Sequence, residues 1–178
     1  KNPLFGAFAQ SEKMNINCDD DVSTADIIFL AVKPIVLAEV LHEIKTTVQE
    51  KKPVIVSMVT GVSIAEIADL LELTPEDLEI IRIMPNVNAE IAAGMTALNA
   101  SPAVTETNFA RVKGLFEMIG QTEILPEKDF STFVALAGSS PAYVYFFIDA
   151  MSRAGVKYGL KKEQATKIAA QAVLGSAQ

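Results

Sequence analysis

The sequence predicts a two-part protein: an α/β domain built on a parallel sheet, followed by an all-α segment. Two observations carry the first half of that prediction. Continuous apolar runs alternate with amphipathic stripes, which is the grammar of a parallel sheet with covering helices. Charge and aromatic content also change sharply near Pro126. Residues 1–126 carry 18 acidic and 9 basic side chains, whereas residues 127–178 carry 4 acidic and 6 basic. The same last 52 residues hold seven of the twelve aromatic side chains. A third observation concerns the segment Ala142–Ile148, which is apolar on nearly every side. A helix of that kind is buried on more than one face.

The first strand is predicted at Ile27–Val32, a short apolar run bounded by Asp26 and by Lys33-Pro34. Strands covered on both faces look like this. Pro34 suits the first turn of a helix, where its missing N–H costs nothing. Leu37, Val40, Leu41, Ile44 and Val48 then follow at helical spacing, until Lys51-Lys52-Pro53 stops the helix. A second buried strand is predicted at Val54–Val59, with Gly61 marking the turn. Ser63 and Glu66 form a capping box for a short helix through Leu71. Thr74–Asp77 reads as a turn. Glu79–Met84 is the third strand, and Met95–Leu98 a weaker one. Thr105 caps a helix through about Met118, with Phe109, Val112, Leu115, Phe116 and Ile119 on one stripe. Residues 122–125 close the sheet.

The second part reads as helix. Residues 128–137 form a short helix that Gly138 interrupts. Ser140 and Pro141 supply an N-cap and an N1 proline for the next helix, which runs to about Lys157. Gly159 ends it, and residues 161–178 open another helix with no stop signal. A 52-residue helical piece cannot cover the apolar Ala142–Ile148 stretch alone. The expected cover is a second copy of the chain, as a homodimer; packing against the first domain is the alternative.

Composition excludes several function classes. At 178 residues the chain has room for one domain or for one and part of another. A single cysteine, Cys18, rules out an internal disulfide framework and Cys-cluster zinc sites. A single histidine, His42, rules out His-pair metal motifs and sits in a helix near Glu39 and Glu43, where a surface position is expected. No metal is expected. Asp19-Asp20-Asp21 lacks the glycine and distal glutamate of a calcium loop and reads as a solvated turn. Cys18 has no basic neighbour in sequence and is expected to be packed rather than reactive. A net charge of −7 argues against nucleic acid, whose binding rests on Lys and Arg neutralising phosphates. No membrane partner is expected, and no signal-peptide pattern opens the chain. No two of the nine glycines are separated by a single residue, so no G-x-G phosphate turn is present.

Parallel sheets bind ligands at the carboxyl ends of their strands. Here those ends are Ala31-Val32-Lys33-Pro34, Ser57-Met58-Val59-Thr60-Gly61 and Met84-Pro85-Asn86. From spacing alone, a site on one edge and three ordinary turns are equally good readings.

Five segments resemble one family. They are Leu30-Ala31-Val32-Lys33-Pro34; Arg82-Ile83-Met84-Pro85-Asn86; Gly94-Met95-Thr96-Ala97-Leu98, with Leu115-Phe116 and Gly120 beyond it; Gly138-Ser139-Ser140-Pro141-Ala142-Tyr143; and Ala169 to Ala177. In this order and spacing the chain resembles pyrroline-5-carboxylate reductase, from about Asp26 to Gln178. The resemblance implies a Rossmann-type dinucleotide-binding domain at 1–126 lacking its first βαβ unit. It implies a truncated helical dimerisation domain at 127–178. It further implies a cytoplasmic enzyme that reduces 1-pyrroline-5-carboxylate to L-proline with hydride from NADPH or NADH, as a homodimer or a higher oligomer.

On that resemblance, Ala31, Val32, Lys33 and Pro34 lie along the cofactor, mostly through backbone. Ser57, Met58, Val59, Met84 and Asn86 flank its nicotinamide end. Met84, Pro85, Asn86 and Ser139 touch substrate. Gly138–Pro141 brings a helix N-terminus towards the site, where N–H groups favour an anion. The chain departs from the family pattern at Ser140, usually Gly; at Val87-Asn88, usually Thr-Pro; and at Met58 and Thr60, often smaller. The family also begins with a strand and a Gly-rich phosphate turn, and continues into a Gly-Gly-Thr substrate loop. Neither is in this sequence, so the chain is expected to be incomplete at both ends and inactive by itself.

Hydride addition to a cyclic imine works best with its nitrogen protonated, and positioning supplies most of the acceleration. None of the three loops holds an Asp or Glu to act as general acid. Ser139 and Ser140 are the candidates for a proton relay, with helix capping as their alternative role. Two rival readings stay open. One is a β-hydroxyacid-type reductase with a catalytic lysine, for which Lys157, Lys161 and Lys162 are available. The other is a non-catalytic dimerising scaffold.

Overall fold

The computed structural model describes residues 22–178. Expectations for Cys18 and for Asp19–Asp21 lie outside those residues. The contacts divide the chain into two compact units, the first ending at Phe133 and the second spanning Val134–Gln178.

The first unit is a five-stranded sheet with strands in sequence order: β1 (Ile27–Leu30), β2 (Val54–Ser57), β3 (Ile80–Pro85), β4 (Gly94–Ala100) and β5 (Gly120–Ile124). β1, β2 and β3 run parallel, joined by α1 (Pro34–Lys51) and α2 (Ile64–Leu70). β3 and β4 are antiparallel, a direction that the sequence reading of a parallel sheet did not give. The cause is the connection. Residues 86–93 hold only a short 3-10 turn, Val87–Ile91, and a parallel return needs a dozen residues or more. α3 (Glu106–Glu117) then carries the chain to β5, which pairs parallel with β4.

Strand faces alternate between two cores. Ile55 and Ile80 point to one side, under Leu37, Leu41 and Val48 of α1 and Ile64, Ile67 and Ala68 of α2. Val54, Val56, Ile81, Ile83 and Leu98 point to the other, under Val112 and Phe116 of α3. Ile55, Ile80, Ile81 and Ile83 are fully buried, as expected for strands covered on both faces.

Local chemistry sets the helix ends. Pro34 opens α1, and Lys52, left-handed at φ 51°, closes it with its N–H on the Val48 carbonyl. Ser63 accepts from the Glu66 N–H while the Glu66 carboxylate accepts from the Ser63 N–H, the capping box read from sequence. The Ser63 N–H first, and then the Ser63 hydroxyl, which donates to the same carboxylate oxygen at 2.7 Å, hold the Glu66 carboxyl below the usual carboxylate range. Thr105 caps α3 through its side chain.

The stretch predicted as one short helix over 128–137 is a 3-10 turn (Glu127–Asp129), one α-turn, α4 (Phe130–Phe133), and a π-helical segment, Val134–Gly138. Gly138 ends that π segment, Ser139 is a bend, and α-helix resumes at Ser140.

The second unit pairs α5 (Ser140–Lys157) with α6 (Lys162–Ala177). Small residues let the two approach: a Cβ on Gly155 would stand 3.1 Å from the Ala165 Cβ. The buried Ser152 hydroxyl bonds Thr166 at 2.8 Å. Asp149 joins Arg153 at 2.6 Å on its own helix and Lys162 at 2.7 Å on the next. By length and composition the run Glu127–Lys157 is apolar enough to cross a membrane.

Candidate functional site

The carboxyl ends of β1, β2 and β3 stand side by side. Leu30 pairs with Ser57 and Ser57 with Arg82, so each strand delivers its following loop to the same edge. The ladder extends one bond further, from the Met58 N–H to the Leu30 carbonyl at 3.2 Å. Strands β1 and β2 end two residues earlier than predicted, which assigns Ala31-Val32 and Met58-Val59 to the loops.

The first loop presents Ala31, Lys33 and Pro34 to solvent, with Val32 half-buried. Lys33 is extended and makes no side-chain cap, so the first N–H groups of α1 are met by no side chain there. Beside them Ile35 is 89% exposed, an apolar residue at the mouth of the edge. In the second loop the buried Ser57 hydroxyl accepts from the Val59 N–H at 3.3 Å and fixes the turn. Val59 packs into one core and Met58 into the other. Thr60 and Gly61 are exposed, and Gly61 takes φ +79°, which favours glycine.

In the third loop Met84 is buried, and Pro85 and Asn86 are half-buried. Asn86 does more than line the edge. Its Oδ1 accepts from the Met95 N–H at 3.1 Å, pinning the end of β3 to the start of β4. Nothing in the sequence marked that bond, because the two residues belong to strands read as separate. β4 and β5 begin at the same edge, where Gly94 pairs with Gly120. A Cβ on Gly120 would lie 2.0 Å from the Gly94 carbonyl oxygen, and Gly120 takes φ +153°, so the approach needs glycine.

Ser139 and Ser140 belong to the second unit. Ser139, not Ser140, is the N-cap of α5; it has helical backbone angles and makes no side-chain cap bond. Ser140 is the first helical residue. The proline therefore sits one position deeper than predicted, and the π segment absorbs the change, with the Ser139 N–H on the Val134 carbonyl at 2.8 Å. The apolar stretch of α5 is open in the single chain: Phe146 is 78% exposed, and Tyr143, Tyr145 and Phe147 are exposed with it. His42 is exposed, as read from sequence. Among the described residues no three His, Cys, Asp or Glu side chains gather into a metal-binding group.

Comparison with known proteins meets this geometry at two levels. Residues 127–178 match the family profile described as pyrroline-5-carboxylate reductase dimerisation. The pyrroline-5-carboxylate reductase of Escherichia coli (strain K12) is 43% identical over 154 residues, 86% of this chain and 56% of that protein.

Over 86% of its length the chain is similar to a pyrroline-5-carboxylate reductase.

Solved structures of the family carry the same fold. The 1-pyrroline-5-carboxylate reductase of Streptococcus pyogenes superposes with a TM-score of 0.79 at 38% identity, over 97% of this chain and 64% of that one. The Plasmodium falciparum pyrroline carboxylate reductase, solved with NADP bound, gives 0.79 at 28% identity over 91% of this chain and 62% of that one. The chain spans about half the length of the curated relatives it matches. The family therefore has a sheet domain followed by a helical dimerisation domain, and both are represented here.

Proposed function

We propose that the protein reduces 1-pyrroline-5-carboxylate to L-proline with hydride from NADPH or NADH. The observation that carries this reading is the convergence of three loops on one sheet edge, two of them (31–34 and 84–86) family-matching, in a chain 43% identical over 154 residues to an enzyme of that name. The edge suits a dinucleotide. It is the carboxyl end of three adjacent parallel strands, it opens the N-terminus of α1, and no acidic side chain lies in loops 31–34, 57–61 or 84–86.

In this reading Ala31, Val32, Lys33 and Pro34 run along the cofactor, which supplies the hydride when bound. Ser57, Met58, Val59, Met84 and Asn86 border its reactive end. Met84, Pro85 and Asn86, with Ser139, orient the imine. Held geometry is the main contribution of these residues, because none of the three loops carries an Asp or Glu to act as general acid. Ser139 and Ser140 are the proton-relay candidates; the lack of a capping bond at Ser139 supports that role over capping. Residues 1–126 form the dinucleotide-binding region and 127–178 the helical dimerisation region, the latter supported by the extent of the profile match. The exposed aromatic stretch of α5 is covered by a second copy. A cytoplasmic location belongs to the same proposal, with the bacterial relatives as its support.

The test is substrate choice by the intact protein, with 1-pyrroline-5-carboxylate compared against β-hydroxyacids. NAD(P)H oxidation that depends on the cyclic imine is expected. Turnover of a hydroxyacid instead, or binding of neither nucleotide, would replace this reading with one of its rivals. If Ser139→Ala/Ser140→Ala transfers hydride at the same rate under saturating substrate, the relay is wrong and the reaction class stands.

A further inference from the structure

Arg82 is a cation in the middle of the sheet. Its side chain is only 9% exposed, yet it lies on β3 two residues before Met84 and on the same strand face. Its Nη1 donates to Glu127 Oε1 at 2.7 Å, and its guanidinium stands 4.7 Å from the centre of the Phe130 ring. The same Glu127 oxygen accepts from the Ile64 N–H, the first residue of α2, at 3.0 Å. Arg82 Nε is buried and, among the described residues, is the side-chain atom of that kind with no hydrogen-bond partner.

One carboxylate thus joins three parts of the first unit: β3, which ends in Met84–Asn86; α2, which follows loop 57–63; and the segment 127–133, which precedes the second unit. A buried guanidinium is costly to desolvate and loses its compensation when its partner goes. A lone purpose of filling the core would be met more simply by an apolar residue. The ring of Phe130 adds a cation–π contact of the kind that strengthens away from water.

We propose that Arg82 and Glu127 form a latch that fastens residues 127–133 to the sheet face and, through the Ile64 N–H, holds α2 to the same point. The first unit consequently ends at Phe133, seven residues inside the region matched by the dimerisation profile, which starts at 127. Glu127 serves as the shared acceptor, Arg82 as the buried cation that orients it, and Phe130 as the cover. The latch does not depend on the reaction proposed above.

Backbone amide exchange of the chain tests it, comparing R82M, E127Q and the double variant R82M/E127Q. Local opening energies are read directly from such rates. Each single variant is expected to speed exchange at residues 128–133 and at the Ile64 amide by about tenfold or more, leaving β4, β5 and α5 unchanged. The double variant is expected to match the single ones, because removing either partner already breaks the latch. Additive acceleration, acceleration spread evenly over the sheet, or none at all would overturn the proposal. If R82M does not fold, E127Q decides alone: acceleration confined to 128–133 and Ile64 upholds the latch, and unchanged exchange there removes it.

Discussion

Replacing Asn86 with alanine tests the part of the site that the structure alone reveals. Asn86 Oδ1 is the acceptor for the Met95 N–H at 3.1 Å, and both residues are half-buried. Alanine removes that acceptor and leaves a backbone donor with reduced access to water. A typical hydrogen bond contributes about 1 kcal/mol net, and an orphaned donor costs roughly 1–3 kcal/mol. Half-burial places Asn86→Ala at the lower end, about 1–2 kcal/mol. For a sheet unit of this size that corresponds to a fall in Tm of roughly 4–8 °C. Asn86→Asp keeps an acceptor in the same place and is expected to stay within about 0.5 kcal/mol of wild type. Urea denaturation followed by circular dichroism reads both. The pair of variants separates the bond from the volume of the side chain. An alanine variant as stable as wild type, or an aspartate variant as unstable as alanine, would refute the pinning role.

The remaining predictions concern other levels of the molecule. Gly120→Ala forces a Cβ within 2.0 Å of a backbone oxygen at φ +153°, and neither strand can shift alone; a loss of about 3 kcal/mol or more is expected by thermal denaturation. Asp149 is held below the usual carboxylate range, first by the Lys162 hydrogen bond and then by Arg153. Its contribution to the α5–α6 pair is therefore full above the ordinary carboxylate value and is lost as pH falls through the lowered folded one. Carbon-detected NMR titration should place the Asp149 midpoint below the ordinary value, and Lys162→Ala should raise it. Phe146→Glu puts a charge on a 78% exposed aromatic within the α5 apolar face; under the proposed covering by a second copy, light scattering is expected to find a dimer for the parent chain and a monomer for the variant.

Much of the sheet was legible because it rests on pattern. Continuous apolar runs located β1, β2 and β3, and a proline and a capping box located the helices between them. What stayed hidden depends on pairing across the chain. The antiparallel turn from β3 to β4 follows from a short connection whose strand partner had to be known first. The bond from Met95 to Asn86 and the close approach of Gly94 and Gly120 each join the ends of different strands. Arg82 read as a strand residue among apolar neighbours; only its contact with Glu127 distinguishes a latch from a surface charge. The Ser139 and Ser140 assignment shifted by one because a π segment adds a residue that a 3.6-residue period cannot register.

The α5 face illustrates the opposite case. Its apolar character was plain in sequence, and a second copy was the cover expected for it. Four aromatic side chains exposed on one helix are a large apolar surface to leave in water, and the proposed second copy would meet it with the same face, as a two-fold dimer requires.

The site itself is tested most directly by mapping where NADPH protects the intact protein from amide exchange. Protection is predicted at residues 31–34, 57–61 and 84–86, the three loops of one sheet edge. Protection confined to other segments, or none with nucleotide demonstrably bound, would contradict the assignment of that edge.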